Sequence, residues 1–176
     1  TTGGTNSIVA SALGVSSTRD VAVQADSFLF TLFDNNNGSQ VDPSNTLIIP
    51  DVLLSKSAAV TLTWTRSGAL VPDGTVVNFT TTRGVLVADS GTISNGKVTA
   101  TVSSTNAGKA LVTFSGVDGD IALNNQLEFE FVAETVETVV AQASPSSIGP
   151  SGETSTISVV VKDENGNLVK NKTVDF

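Results

Sequence analysis

The stretch Val60-Thr61-Leu62-Thr63-Trp64-Thr65 decides the fold. Apolar and polar residues alternate with a period of two. Successive side chains of a strand point to opposite faces, so this pattern is a strand with one face inward and one in water. The same alternation recurs. Val98, Ala100 and Val102 alternate with Thr99, Thr101 and Ser103. Ala110, Val112 and Phe114 alternate with Leu111, Thr113 and Ser115. Leu127, Phe129 and Phe131 alternate with Glu128 and Glu130, and Ile157, Val159 and Val161 with Ser158 and Val160. Between these runs lie Ser67-Gly68, Asp73-Gly74, Arg83-Gly84, Asn95-Gly96, Ala107-Gly108, Asp118-Gly119 and Asn165-Gly166. Asn-Gly and Asp-Gly tolerate the positive φ that hairpin turns require. No segment has helical periodicity. Short strands at regular spacing with such turns predict an all-β protein built of antiparallel sandwiches. In the middle of the chain the expected inward set is Val60, Leu62, Trp64, Val77, Phe79, Val98, Ala100, Val102, Ala110, Val112, Phe114, Leu127, Phe129 and Phe131.

Composition agrees. Of 176 residues, 39% are hydrophobic and only 15% charged. Thr and Val favour strands because a branched Cβ packs well on a pleated surface. The net charge is −8. That argues against nucleic acid, which needs a basic surface to meet phosphates, and against anionic lipid. No apolar run reaches the length of a membrane-spanning helix. The chain has no Cys and no His. Thiolate chemistry and disulfides are therefore excluded, and the commonest general base and transition-metal ligand is missing. Enzymatic activity is not expected.

The sequence also repeats. Residues 62–79 (LTWTRSGALVPDGTVVNF) and 159–176 (VVVKDENGNLVKNKTVDF) share a pattern of alternating strand, polar Gly turn, Leu-Val, a second turn and Val-x-Phe, offset by about 97 residues. Residues 4–10 echo 108–114, and 28–32 echo 127–131. Residues 1–33 thus read as the last strands of one repeat, 34–134 as a complete repeat, and 135–176 as the opening strands of a third. The ends, Thr1-Thr2-Gly3-Gly4 and Val174-Asp175-Phe176, read as cuts within a longer chain. Residues 34–50 have no counterpart in the third copy. They are expected to form a loop or linker insertion, flexible at residues 34–38, with Leu47-Ile48-Ile49 as a short edge strand before Pro50.

The run Ala143-Ser144-Pro145-Ser146-Ser147-Ile148, then 157–169 (ISVVVKDENGNLV), then Thr173-Val174-Asp175-Phe176, resembles the opening of bacterial group 1 immunoglobulin-like (Ig-like) domains, the repeats of invasin- and intimin-type adhesins. Val77-Asn78-Phe79, Arg83-Gly84-Val85-Leu86, residues 95–102 (NGKVTATV) and 107–114 (AGKALVTF) supply the rest of the pattern. The middle copy departs at Arg66-Ser67-Gly68, where the family has Asp-x-Asn-Gly. The resemblance implies tandem Ig-like antiparallel β-sandwiches, one complete repeat flanked by two partial ones. It also implies export, display on the bacterial cell surface from an outer-membrane anchor, and a stalk that presents a binding tip. It supplies no catalytic residue.

Candidate sites are polar clusters. Asp163-Glu164-Asn165-Gly166-Asn167 and Asp118-Gly119-Asp120 offer Asp163, Asn165, Asp118 and Asp120 as Ca²⁺ ligands. Ca²⁺ takes six to eight oxygens, and Asp and Asn are favoured in turns for backbone reasons alone, so a plain turn is the leading reading of each. Glu134 and Glu137 fall at the expected junction of two repeats, where Ca²⁺ would screen their charges; a hydrated linker is the simpler reading. Asp34-Asn35-Asn36-Asn37-Gly38 reads as linker rather than metal site. Trp64 is in phase with the core and reads as buried rather than as a sugar-stacking surface. The expected partners are neighbouring Ig-like repeats. Two alternatives stay open: recognition of a host protein or glycan by exposed loops, and head-to-tail self-association in which the terminal strands of two molecules complete one another.

Overall fold

The computed structural model describes residues 4–23, 26–119, 121–170 and 172–175. An N-terminal hairpin pairs β1 (Gly4–Ala12) with β2 (Val15–Val23). The central strands follow in order: β3 (Ser27–Asp34), β4 (Gln40–Val41), β5 (Val52–Leu53), β6 (Ser57–Arg66), β7 (Ala69–Leu70), β8 (Val76–Thr81), β9 (Val85–Leu86), β10 (Ser90–Thr92), β11 (Lys97–Ser103), β12 (Gly108–Asp118) and β13 (Ile121–Val132). A second hairpin pairs β14 (Thr138–Ser144) with β15 (Thr156–Lys162).

The central strands make two facing sheets. One runs β10-β8-β12-β13-β5; the other runs β4-β3-β6-β11-β9, with β7 on β6. Register follows the alternation read from sequence. Leu62 lies opposite Val98 and Val60 opposite Ala100, while in the facing sheet Ala110 meets Phe129 and Phe114 meets Phe79. The expected inward set is buried throughout, with Leu127 half-buried against the same core. Trp64, Phe33, Phe114 and Phe131 are its largest fully buried side chains. Pairing between the strands of these two sheets is antiparallel except where β5 runs parallel to Phe131 and Val132 of β13. Ser67-Gly68 and Asn95-Gly96 each carry two consecutive positive φ values, the type I′ geometry that suits a two-residue hairpin.

Three expectations from sequence need correction. First, the boundary after residue 33 does not stand. β3 is the opening strand of the central sandwich: it pairs with β6 from Ser27 opposite Thr65 to Asp34 opposite Ala59. Phe28, Phe30 and Phe33 enter the core. Alternation marks a strand as half-buried but not which sheet it joins, so the likeness of 28–32 to 127–131 misplaced it. Second, residues 34–41 are a closed turn, not a flexible linker. Asn35 is buried and holds it together. Third, Leu47-Ile48-Ile49 is not a strand. The Thr46 hydroxyl accepts the Ile48 N–H at 3.2 Å and bends the segment, leaving Leu47 and Ile48 exposed. Pairing begins beyond Pro50, at Val52.

The terminal hairpins differ from the sandwich in burial. In β14–β15, Val139 faces Val161, Ala141 faces Val159 and Ala143 faces Ile157, so one face is wholly apolar. Val139 and Ile157 nevertheless remain more than half exposed.

Candidate functional site

The most elaborate polar arrangement lies where the central sandwich meets the C-terminal hairpin. β15 ends at Lys162, and the chain turns back so that Leu168 bridges Lys162. Asp163 builds this turn. Its Oδ1 accepts the N–H groups of Asn165 (2.9 Å) and Asn167 (2.7 Å), and its Oδ2 accepts the Asn167 amide at 2.9 Å. Backbone bonds from Asp163 N to Asn167 O and from Gly166 N to Asp163 O close the loop.

Asn167 then reaches across the joint. Its Oδ1 accepts the Ala107 N–H at 3.0 Å, and its Nδ2 donates more weakly to the Thr105 carbonyl at 3.4 Å. Val169 forms a parallel bridge with Ala133 at the end of β13. Lys170 completes the contact, donating to Asp51 Oδ1 at 3.0 Å and Glu130 Oε2 at 2.7 Å. Asp51 is itself held in place, because the buried Asn35 donates to its carbonyl at 3.0 Å. Beside these contacts opens a cleft of about 430 Å³, lined by Leu54, Thr105, Glu134, Glu137, Asp163 and Glu164 among others.

The charges follow from these contacts. The Asn167 side-chain hydrogen bond is the chief cause holding the Asp163 carboxyl below its ordinary value; desolvation works against it, and the N–H groups of Asn167 and Asn165 add to the lowering. The hydrogen bond to Glu130, then that to Asp51, raises Lys170 above its ordinary value; desolvation works against this and the two carboxylate charges add to it. Lys170 is partly exposed, so each of its ion pairs contributes about 0–1 kcal/mol. A depressed carboxyl stabilises its turn above its ordinary value and loses that contribution as pH falls through the lowered one. The raised Lys170 contributes throughout the neutral range and is lost only in strong alkali. In an NMR titration the Asn167 side-chain amide signals are therefore expected to hold steady until pH falls below the ordinary aspartate range. Movement centred at or above that range would show that Asp163 does not organise the turn.

The sequence candidates fall in different places. Asp163 and Asn165 lie in this turn, and the cleft brings them near Glu134 and Glu137. Both Asp163 oxygens are engaged within the loop. Asp118 ends β12 opposite Ile121, ten strand residues beyond Gly108, so roughly 33 Å away at about 3.3 Å per residue. Asp120 lies outside the described residues. The structure does not unite these two turns, and among the described residues no three acidic side chains are grouped to hold a metal ion. Trp64 is fully buried, edge-on to Phe28 at 5.1 Å, and offers no surface for a sugar. Sequence reading placed Asn167 and Asn35 in polar clusters without giving either a role, and it missed Lys170 and Asp51. Only Asn167 had a visible signal: an Asn four residues beyond an Asp across a Gly.

No protein-family model and no curated protein matches the sequence. Among solved structures, invasin, a bacterial integrin-binding protein, is similar over 98% of this chain with a TM-score of 0.52 and 20% identity. A C-terminal 282-residue fragment of intimin, solved in complex with the intimin-binding domain of the translocated intimin receptor, is similar over 53% of the chain with a TM-score of 0.42 and 26% identity. The D0-D1 domain of intimin is similar over 73%, with a TM-score of 0.42 and 17% identity. The chain spans 34% of invasin, 32% of the intimin fragment and 63% of the D0-D1 structure. The likeness to invasin runs from the N-terminal hairpin through the sandwich to the C-terminal hairpin. The likeness shows the fold: like the tandem Ig-like domains of invasin, the chain is all-β, with antiparallel sheets packed as a sandwich.

Proposed function

We propose that the chain is a stalk segment of a bacterial surface adhesin, displayed outside the cell, whose role is reach and not chemistry. In this reading β1–β2 is the closing pair of one sandwich, residues 27–133 are a complete one, and β14–β15 is the opening pair of the next. The supporting observation is that the likeness to invasin extends over 98% of the chain, across both joints and not within a single sandwich. The apolar face of β14–β15 fits the same reading, since an opening pair buries that face against later strands of its own sandwich.

Adhesion of the immobilised chain to cultured host cells, with a glycan array alongside, tests this. A stalk segment is expected to give no saturable binding in either assay. Saturable binding to one protein or glycan would replace the stalk reading with that of a receptor-binding module. One observation favours that second reading. The Asp42 carboxylate accepts from Ser44 and Asn45, and the Thr46 turn follows, so Leu47 and Ile48 sit exposed at the tip of a well-organised loop. Binding abolished by Leu47→Ser with Ile48→Ser would place the contact there.

A further inference from the structure

We infer that residues 163–170 form a clasp that fixes the angle between the C-terminal hairpin and the sandwich before it, and that this stiffness is specific to the joint and encoded in the turn. The inference concerns geometry alone and stands whether or not the segment also binds a receptor.

The clasp has three independent grips. Asn167 spends its acceptor on the Ala107 N–H and shares its amide between Asp163 and the Thr105 carbonyl. Val169 adds a backbone bridge to Ala133. Lys170 sits between Asp51 and Glu130, which belong to different parts of the sandwich. Each grip limits a different motion: Asn167 on the 105–107 loop resists swing, Val169 on the end of β13 resists slip, and Lys170 resists rotation about the other two. Relative motion is the default for domains of one chain unless their interface is large and hydrophobic, so any stiffness at this joint has to come from these specific grips.

The central repeat lacks every chemical element of the clasp. The Leu70–Thr65 pair and the Val71 N–H to Trp64 carbonyl bond match Leu168–Lys162 and Val169–Val161 in the next repeat, so Arg66, Ala69 and Pro72 stand in the places of Asp163, Asn167 and Lys170. A guanidinium has no acceptor to gather a turn's N–H groups, and Ala has no polar group to reach a neighbouring loop. Pro72 has no charge to pair, and the carboxylate of Asp73 beside it accepts the Asn95 N–H within its own sandwich at 2.7 Å. The same place in two repeats thus builds two kinds of turn. In the central repeat it closes as a two-residue hairpin, with Arg66 opposite Ala69; in the next it is a wider loop that grasps the preceding sandwich.

The chain has no Cys, so a spin-label pair at Thr99→Cys and Ser158→Cys reports the distance between sandwich and hairpin without background. Pulsed electron resonance on the full chain is expected to give one narrow distance distribution. Asn167→Ala with Lys170→Ala is expected to broaden it roughly twofold, as for domains joined without a restraining interface. Thr75→Ala, which removes the exposed hydrogen bond from the Thr75 hydroxyl to the Pro72 carbonyl at the far end of the sandwich, is expected to leave it unchanged. A thermal melt of each variant, with the single variants Asn167→Ala and Lys170→Ala in parallel, separates loss of the clasp from loss of the fold. A wild-type distribution already broad, or folded clasp variants that superimpose on wild type, would overturn the inference.

Discussion

Phe114→Ala is expected to destabilise the chain by about 3–5 kcal/mol, the range for emptying a packed aromatic site. Phe114 is fully buried at the centre of the sandwich. Its ring lies edge-on to Phe30 at 5.0 Å and tilted against Phe79 at 4.5 Å, so it joins β3 of one sheet to β8 and β12 of the other. Truncation removes the buried area, both ring contacts and the wedge between the sheets. With no disulfide to limit the unfolded chain, the whole loss falls on the folding equilibrium. A urea titration followed by Trp64 fluorescence measures it. A loss below about 1 kcal/mol would mean that the site collapses onto other side chains and that Phe114 is not central to the core.

Asn35→Ala is expected to cost about 1–3 kcal/mol, because truncation removes three part-buried hydrogen bonds that close one turn. The Asn35 carbonyl accepts the N–H groups of Asn37 at 3.0 Å and Ser39 at 3.1 Å, while its amide donates to the Asp51 carbonyl. Asn35 is itself buried, only 5% exposed, beneath the exposed Asn37 and Ser39. The effect has a second part. Asn35 positions the segment that presents the Asp51 carboxylate to Lys170, so its loss also loosens the joint. Chemical denaturation gives the first part, and the spin-label distance in the same variant gives the second. A near-neutral change in stability would return residues 34–41 to the status of a loose connection.

Much of the sandwich was legible because its determinant is local. Val60, Leu62 and Trp64 alternate with threonines, and that alone sets which way each side chain points once the strand forms. The paired turn residues at Ser67-Gly68 and Asn95-Gly96 were legible for the same reason, since positive φ restricts composition directly. The assignment of β3 was not legible. Its pairing with β6 shifts register between Phe30 and Leu32, and this irregularity puts Phe33 inward three residues after Phe30. An odd spacing breaks the period-two signal. The role of Asn35 was missed because a run of Asn beside Gly carries the same composition in a loose loop and in a tightly bonded turn; burial separates the two, and burial is a property of the whole fold. Leu47 and Ile48 read as strand because apolar residues normally seek partners, but a hydroxyl-bonded turn turned them outward. The joint was least legible. Lys170, Glu130 and Asp51 are far apart in sequence, and nothing local marks a surface lysine as the one that will meet two carboxylates.

Backbone amide hydrogen exchange tests the arrangement most directly, because it reports which strands open together. If residues 27–133 are one cooperative two-sheet unit clasped to the hairpin that follows, the paired amides of β3 should exchange as slowly as those of β6 and β12. The Val169 amide, bonded to the Val161 carbonyl, should be protected as well. Rapid exchange throughout β3, at the rate of β1 and β2 and apart from β6, would contradict the account.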